Sequence, residues 1–413
     1  MIRSMYAAVS GLRSHQTMMD VVGNNIANVN THGFKRSEAL FQDVLSQMIH
    51  GAGTPTATLG GTNPAQIGLG VMVSAIAQNL SQGSLQVTNR DLDLAIQGDG
   101  FFVVDQGGEQ MFTRAGSFFL DANGRLVNSD GGLIQGWNAD TAGTLVDSGG
   151  TPGSIRIPIG EQSSPVVTSD VKLGGNLSAD ATVGTQYFTG LSVFDEQGNP
   201  IDLDVTLEKT NDDEWTVSAT YGPTQIPIVL ADNVLTFGAN GELTSPADLQ
   251  IDIAAGGIPG LGAVTFTIGG ANERRITQYG GASSVAPVTQ DGSAAGMLQS
   301  LRVGTDGVIV GSYSNGLVKP IGQVAMASFS NPEGLERITG SNWRMTTNSG
   351  LAQIGTAASG GRGSVAPGTL EMSNVDLAEE FTALIRAQRG FQANSRVVTS
   401  SDELLQEIVA LKR

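Results

Sequence analysis

The two ends of this chain repeat one design, and that repetition limits its fold more than any other feature. Along residues 1–30, Ile2, Met5, Val9, Leu12, Met19 and Ile26 fall on alternating steps of three and four, with Gln16 and Gly23 at the interrupted positions. Along residues 374–413, Leu377, Leu384, Phe391, Val398 and Leu405 recur every seven residues, and Phe381 and Val409 supply part of a second row. Each spacing predicts an amphipathic helix whose apolar stripe must be buried. Both helices could pack on one globular core, or each could pair with the other or with a copy of it as a coiled coil. Periodicity alone leaves both open; polar residues interrupt the stripes at Gln16, Gln388, Ser395 and Asp402, and in a paired seam such breaks would set register at some cost in stability.

Between the helices the texture is β. Glycine, at 56 of 413 residues, is about twice its usual frequency of roughly 7%, which favours tight turns between short strands. Leu94-Ala95-Ile96 and Phe101-Phe102-Val103-Val104 flank the turn Gly98-Asp99-Gly100, and Asp121-Ala122-Asn123-Gly124 and Thr305-Asp306-Gly307 read as hairpin turns of one type. Further on, Ile201, Leu203, Val205 and Leu207 alternate with polar residues, Asn211-Asp212-Asp213 turns the chain, and Trp215, Val217 and Ala219 return on a partner strand. The stretches 51–70 and 350–368 are rich in small residues and read as irregular connectors, and 38–49 reads as a short helical piece.

The expected fold class is therefore mainly β with terminal α-helices, organised as nested discontinuous β domains plus an N-/C-terminal helical coiled-coil pair. Residues 1–30 and 374–413 form the helical domain, and 31–70 with 350–373 the connector. Residues 71–145 with 283–349 form a first β domain, and 146–282 an inserted outer β domain. At the helix ends, Ser373 with Asp376 predicts a capping box, and Lys412 and Arg413 complement the helix dipole. Asn24 and Asn28, one turn apart, are placed to bond a neighbouring helix or the connector.

Charge and chemistry narrow the function. Of a net −17, residues 1–36 carry +3 and 373–413 carry −1, so the middle holds −19. An acidic exterior argues against nucleic acid or an anionic membrane as partner, and no stretch approaches the roughly 20 apolar residues of a membrane span. Ser10 to Gln16 breaks any apolar leader and no small-residue cleavage site follows, so no cleaved signal peptide is expected. There is no cysteine, hence no disulfide or thiolate chemistry. His15, His32 and His50 stand apart from any ligand motif, Asp121 to Gly124 lacks the spacing of a calcium loop, and Gly98-Asp99-Gly100 lacks the third glycine of a dinucleotide site. Neither a cofactor nor an enzymatic activity is expected.

Two end motifs carry a family resemblance. The run from Val22 to Lys35, with Asn24, Asn25, Ala27, Asn28, Thr31, Gly33, Phe34 and Lys35, resembles the N-terminal signature of bacterial flagellar rod and hook axial proteins. Asn374, Val375, Asp376 and Leu377, with Gln388, Arg389 and Asn394, resemble the matching C-terminal signature. Phe112-Thr113-Arg114-Ala115-Gly116 and Leu133 to Trp137 are similar to the family's shared β domain. The inserted module of about 140 residues, one domain in size, with Val193 to Pro200 and Gly311 to Gly316, resembles the hook branch.

The resemblance implies a subunit exported by the flagellar type III apparatus that polymerises with itself into a short curved tube working as a universal joint. It implies terminal helices lining the channel and β domains facing outward, with Ile2 through Val409 of the two stripes as assembly seams. Implied partners are a distal rod protein at the base, a cap protein during assembly and a hook-filament junction protein at the tip. A long rod-type protein forming straight tubes, and a secreted acidic adhesin or hydrolase, are the alternatives.

Overall fold

The computed structural model describes residues 2–55, 60–140, 146–222, 226–228, 230, 233–245, 250–253, 264–268 and 275–411. It is mostly strand with one helix at each end: α1 (Ile2–Ala27) and α2 (Leu377–Leu411). The chain divides into two compact units, one of Met1–Ile157, Leu301–Val310 and Pro320–Arg413, the other of Pro158–Ser300 and Gly311–Lys319. The second unit begins at Pro158, twelve residues beyond the sequence expectation of 146, and Ser300 likewise lies beyond 282.

Both helices are shorter than expected, for local reasons. α1 gives way at Asn28, and Gly33 adopts a φ of 69° where an added Cβ would lie 2.6 Å from the Ala115 amide nitrogen, so a side chain is excluded both by conformation and by space. α2 begins at Leu377 because Asp376 accepts hydrogen bonds from the amides of Ala378 (2.8 Å) and Glu379 (3.3 Å). Asp376 is thus the N-cap, while Ser373 only accepts from Val375 (3.3 Å) and the expected capping box is not formed. Glu379 and Glu380 in the first turn complement the positive end of the helix dipole. The expected role of Lys412 and Arg413 lies outside the described residues.

The segment 38–49 is not helical. Its residues form β1 (Ser37–Asp43) and β2 (Ser46–His50), paired antiparallel with β4 (Val71–Gln78) and β3 (Ala65–Gly68) respectively. The β-branched partner sequence Val71-Met72-Val73-Ser74-Ala75-Ile76 supplies a cross-strand neighbour that overrides local helix preference. The stretch 51–70 therefore holds β3, and 350–368 holds Gln353–Gly355 and Ser364–Pro367, so neither is wholly irregular.

The β body of the first unit is built around a strand buried on both faces. β5 (Leu85–Val87) pairs with Thr369–Glu371, and β6 (Leu94–Gln97) pairs with Ser364–Pro367. β7 (Phe101–Gln106) pairs with β8 (Glu109–Thr113) and with Leu133–Asn138. Phe101, Phe102, Val103 and Val104 are all buried, as a continuous apolar run requires. On one side Phe101 and Phe112 meet Trp137, Leu335 and Trp343, and on the other Phe102 packs edge-on against Phe118 at 5.1 Å.

The second unit is a sandwich. Its five-stranded sheet centres on Asp170–Ser178, parallel to Val264–Thr267 and to Ile276–Tyr279 and antiparallel to Ala286–Gln290. Its six-stranded sheet runs Gln186–Phe194, Pro200–Asn211, Glu214–Tyr221, Val234–Phe237 and Leu243–Ser245, with Ile226–Ile228 beside the third. Leu203, Val205, Leu207, Trp215 and Val217 point inward to meet Val171, Leu173 and Phe266 in one core, following the period of two read from the sequence.

Candidate assembly site

Each step up α1 is matched by an equal step down α2. A Cβ on Gly11 would lie 2.7 Å from Asn394 Nδ2, a Cβ on Gly390 would lie 2.5 Å from His15 Nε2, and Asn25 Nδ2 donates to Glu380 Oε1 at 3.2 Å. Positions 11, 15 and 25 thus face 394, 390 and 380, an antiparallel pair with no slip. The buried residues of α1 are Ala8, Gly11, Ser14, Val22 and Asn25, and those of α2 are Glu380, Ala387 and Ser401. This seam is made of small and polar residues. Glycines at its centre let the backbones approach closely.

The apolar stripes of the sequence lie elsewhere. Met5, Val9, Leu12, Met19 and Ile26 on α1, and Leu384, Phe391, Val398 and Leu405 on α2, are half-buried. Leu377, Phe381 and Val409 are exposed, Val409 by 69%. The side chain of Ile2 lies outside the described residues. Tyr6, Ile385, Val397, Leu404 and Ile408 are also exposed, so the pair hides its small residues and leaves much of its apolar bulk at the surface.

The signature residues gather where the helices join the β body. Asn25 Oδ1 accepts from Ser37 N (3.0 Å) while Nδ2 donates to Ser37 O (2.8 Å) and to Glu380, so one side chain ties α1, β1 and α2. Asn374 Oδ1 accepts from Arg36 N (2.8 Å), and its Nδ2 donates to Asn79 O (2.8 Å) and Ser81 O (3.1 Å). Lys35 Nζ donates to Glu371 Oε1 (2.6 Å) and Ser81 O (2.8 Å), and Arg114 Nη1 stands 3.5 Å from Glu371 Oε2. Phe34 is fully buried with the Arg337 guanidinium 4.1 Å from its ring centroid.

Other expected residues are not drawn in. Asn24 and Asn28 bond each other (Nδ2 to Oδ1, 3.1 Å) rather than another helix, and Thr31 donates to Asn28 at 3.1 Å. Ala27, Gln388 and Arg389 are exposed, and Val375 is half-buried. Asn394 lies in the seam, its Nδ2 donating to Gly390 O at 2.9 Å.

Glu371, Arg114, Glu380 and Ser10 were not anticipated. Ser10 accepts from Val71 N (3.2 Å) and Ser14 donates to Val71 O (3.4 Å), docking the β1–β4 ribbon on α1. Burial pushes the Lys35 ammonium below its ordinary range, although Glu371 opposes this, and does the same to Arg114. Burial likewise raises the Glu380 carboxyl, against the Asn25 hydrogen bond. Among the described residues no cluster of metal-ligating side chains occurs. Asp121 accepts from Asn123 N and Arg125 N, and Asp195 from Gln197 N and Asn199 N, so these carboxylates are spent on turns.

Four family models match in sequence order. A flagella basal body rod protein model matches residues 5–35, and a flagellar hook protein FlgE/F/G D1 domain model matches 95–171. A flagellar basal body protein FlaE D2 domain model matches 168–293, and a flagellar basal body rod FlgEFG protein C-terminal model matches 366–411. The chain is 39% identical to the flagellar hook protein FlgE of Borreliella burgdorferi, with all of both chains covered. It is 35% identical to that of Escherichia coli, covering 98% of this chain and 99% of the other. This chain belongs to the flagellar hook protein family. The crystal structure of Helicobacter pylori flagellar hook protein FlgE2, at 16% identity, has a similar fold, with a TM-score of 0.55 over 70% of this chain and 100% of that one. The hook family's two end models fall on the residues that build the paired helices and their junction.

Proposed function

We propose that this chain is the structural subunit of a flagellar hook, polymerising through its paired terminal helices into a curved, hollow tube that passes torque from motor to filament. Full-length similarity to hook proteins supports this reading. The observation that carries it at residue level is the inverted helix pair, small residues inside and Leu377, Phe381, Ile385, Val397, Leu404, Ile408 and Val409 outside.

Magnitudes favour a polymer over a dimer. Burying the exposed half of seven such side chains contributes roughly 1 kcal/mol each, comparable with the low end of the estimated ~4–15 kcal/mol cost of association. One contact would be marginal. A subunit in a tube makes several, and they act together. The bare β2–β3 hairpin, with Leu45, Met48, Ile49 and Ile67 exposed, adds to this, since an isolated two-stranded ribbon is marginal in water. The seam of Ile2, Met5, Val9, Leu12, Met19, Ile26, Leu384, Phe391, Val398 and Leu405 is then completed by neighbouring copies.

The rod, cap and junction proteins as neighbours, and export by the type III apparatus without a cleaved signal, belong to the same proposal. The test is Phe381→Asp, at a position half exposed in the subunit. Electron microscopy should show curved tubes from the parent chain and none from the variant, with circular dichroism unchanged in the monomer. Normal hooks from the variant would refute the seam, and straight, stiff tubes from the parent would refute the hook assignment.

A further inference from the structure

The cluster of Lys35, Arg114 and Glu371 holds one more positive charge than negative, and its arginine lines a cavity. Glu371 Oε1 is taken up by Lys35 Nζ (2.6 Å) and by the Gly83 amide (2.9 Å). Its Oε2 stands 3.5 Å from Arg114 Nη1 without completing a hydrogen bond, and Nε and Nη1 of Arg114 donate to nothing among the described residues. Arg114 is only 3% exposed. A guanidinium buried this deeply loses water without gaining a full set of acceptors, which is a costly state.

The cavity has a volume of about 300 Å³, at the lower limit of the roughly 300–1,000 Å³ of small-molecule sites. Leu80, Phe101, Phe329 and Pro332 give it apolar walls, and Arg114 is the one cation among the described residues that line it. The Phe101 ring covers the guanidinium, 5.3 Å from its carbon to the ring centroid. Asp99 lines the same cavity and is exposed. It is near enough to favour the charged guanidinium, yet the two form no ion pair among the described residues.

We propose that this cavity binds a monocarboxylate with an apolar body, its carboxylate on Arg114 and its body against Leu80, Phe101 and Phe329. Three features select this class. The planar guanidinium fork matches a carboxylate. The excess charge of the cluster is a single one, and Asp99 repels a second negative charge, so a dianion such as phosphate fits poorly. Apolar walls reward hydrocarbon and penalise a small hydrated ion. The site stands whether or not the chain builds a hook, and its ligand is either a free carboxylate or an acidic side chain of another copy.

Sodium phenylacetate is the probe, titrated calorimetrically into the full-length chain at fixed ionic strength, with neutral phenylacetamide as control. Saturable, single-site binding of phenylacetate is expected, with the amide weaker by roughly tenfold because a contact to a charged group is lost. Arg114→Gln should lose a similar factor. Ser330→Phe, which fills the cavity from an exposed position on its wall, should abolish binding with circular dichroism unchanged. No saturable binding in the parent, equal affinity for the amide, or binding that survives Ser330→Phe would overturn the site. Binding seen only in Asp99→Asn would also overturn it, by showing that Asp99 itself closes on Arg114. Should Arg114→Gln fail to fold, the amide and Ser330→Phe decide. Titrating assembled tubes separates the two sources: retained binding marks a free carboxylate, and binding lost on assembly marks an acidic side chain of the neighbouring copy.

Discussion

Gly390 on α2 faces His15 on α1 so closely that a Cβ at 390 would lie 2.5 Å from the imidazole Nε2. The ring has little room to yield, since it also stands 5.8 Å from the Phe41 ring, centroid to centroid. Gly390→Ala therefore sets two effects against each other. Alanine gains about 1 kcal/mol of helix propensity, while overpacking a tight contact costs about 1–3 kcal/mol. The second should prevail, lowering the melting temperature of the helical pair followed by circular dichroism. An unchanged or raised midpoint would show that the helices do not meet here.

Two neighbouring asparagines of the N-terminal signature should behave differently. Asn25 makes bonds to Ser37 and Glu380, so Asn25→Ala removes about three hydrogen bonds and strands a buried carboxylate, a loss on the order of 3 kcal/mol. Asn24→Ala breaks only an exposed bond to Asn28 and should cost under about 1 kcal/mol. Urea unfolding of both variants checks this. Equal losses would remove Asn25 from its place as the three-way tie.

This contrast shows what the sequence could reveal. The heptad stripes correctly announced two helices, yet they drew attention to Leu384 and Phe391 while the intramolecular seam runs through Ala8, Gly11, Ser14, Ala387 and Gly390. Hydrophobic periodicity finds what is large, and a close helix pair is built from what is small. Glycines at 11 and 390 inside otherwise regular helices were the available signal, because each is unfavourable there without a packing reason. The strands β1 and β2 were misread because their partners lie 15–41 residues further along. Glu371 gave no pattern, and the motif that holds Arg114 gave no sign of its partner, since their meeting depends on the tertiary fold.

Lys35, Arg114 and Glu371 form a buried cluster in which two cations share one carboxylate. Glu371→Gln would leave both cations without a counter-charge, and breaking a buried pair in this way costs about 3–5 kcal/mol. Exchanging Lys35, Arg114 and Glu371 together for apolar residues of similar size should cost much less, since no buried charge is then left unpaired. Denaturant unfolding of the single and triple variants separates these outcomes, and a mild single variant would show that the cluster contributes little.

Glu380 gives the chain a pH dependence of the less common sign. Burial raises its carboxyl above the ordinary value near 4.5, Glu379 and Glu38 add to the rise, and the Asn25 hydrogen bond and Arg36 oppose it. The native state therefore holds this proton more tightly than the unfolded chain does. Below the ordinary value both states are protonated and Glu380 exacts no penalty. As pH rises from there through the raised native value, stability falls, and the loss is complete once pH has passed that value. Glu380→Gln keeps an oxygen to accept from Asn25 and removes the titration. It should be more stable than the parent at neutral pH, by on the order of 1 kcal/mol, with the gap closing as pH drops below the ordinary carboxylate range. Unfolding midpoints of parent and variant across that range test the prediction, and a gap that widens in acid would reverse the assigned sign.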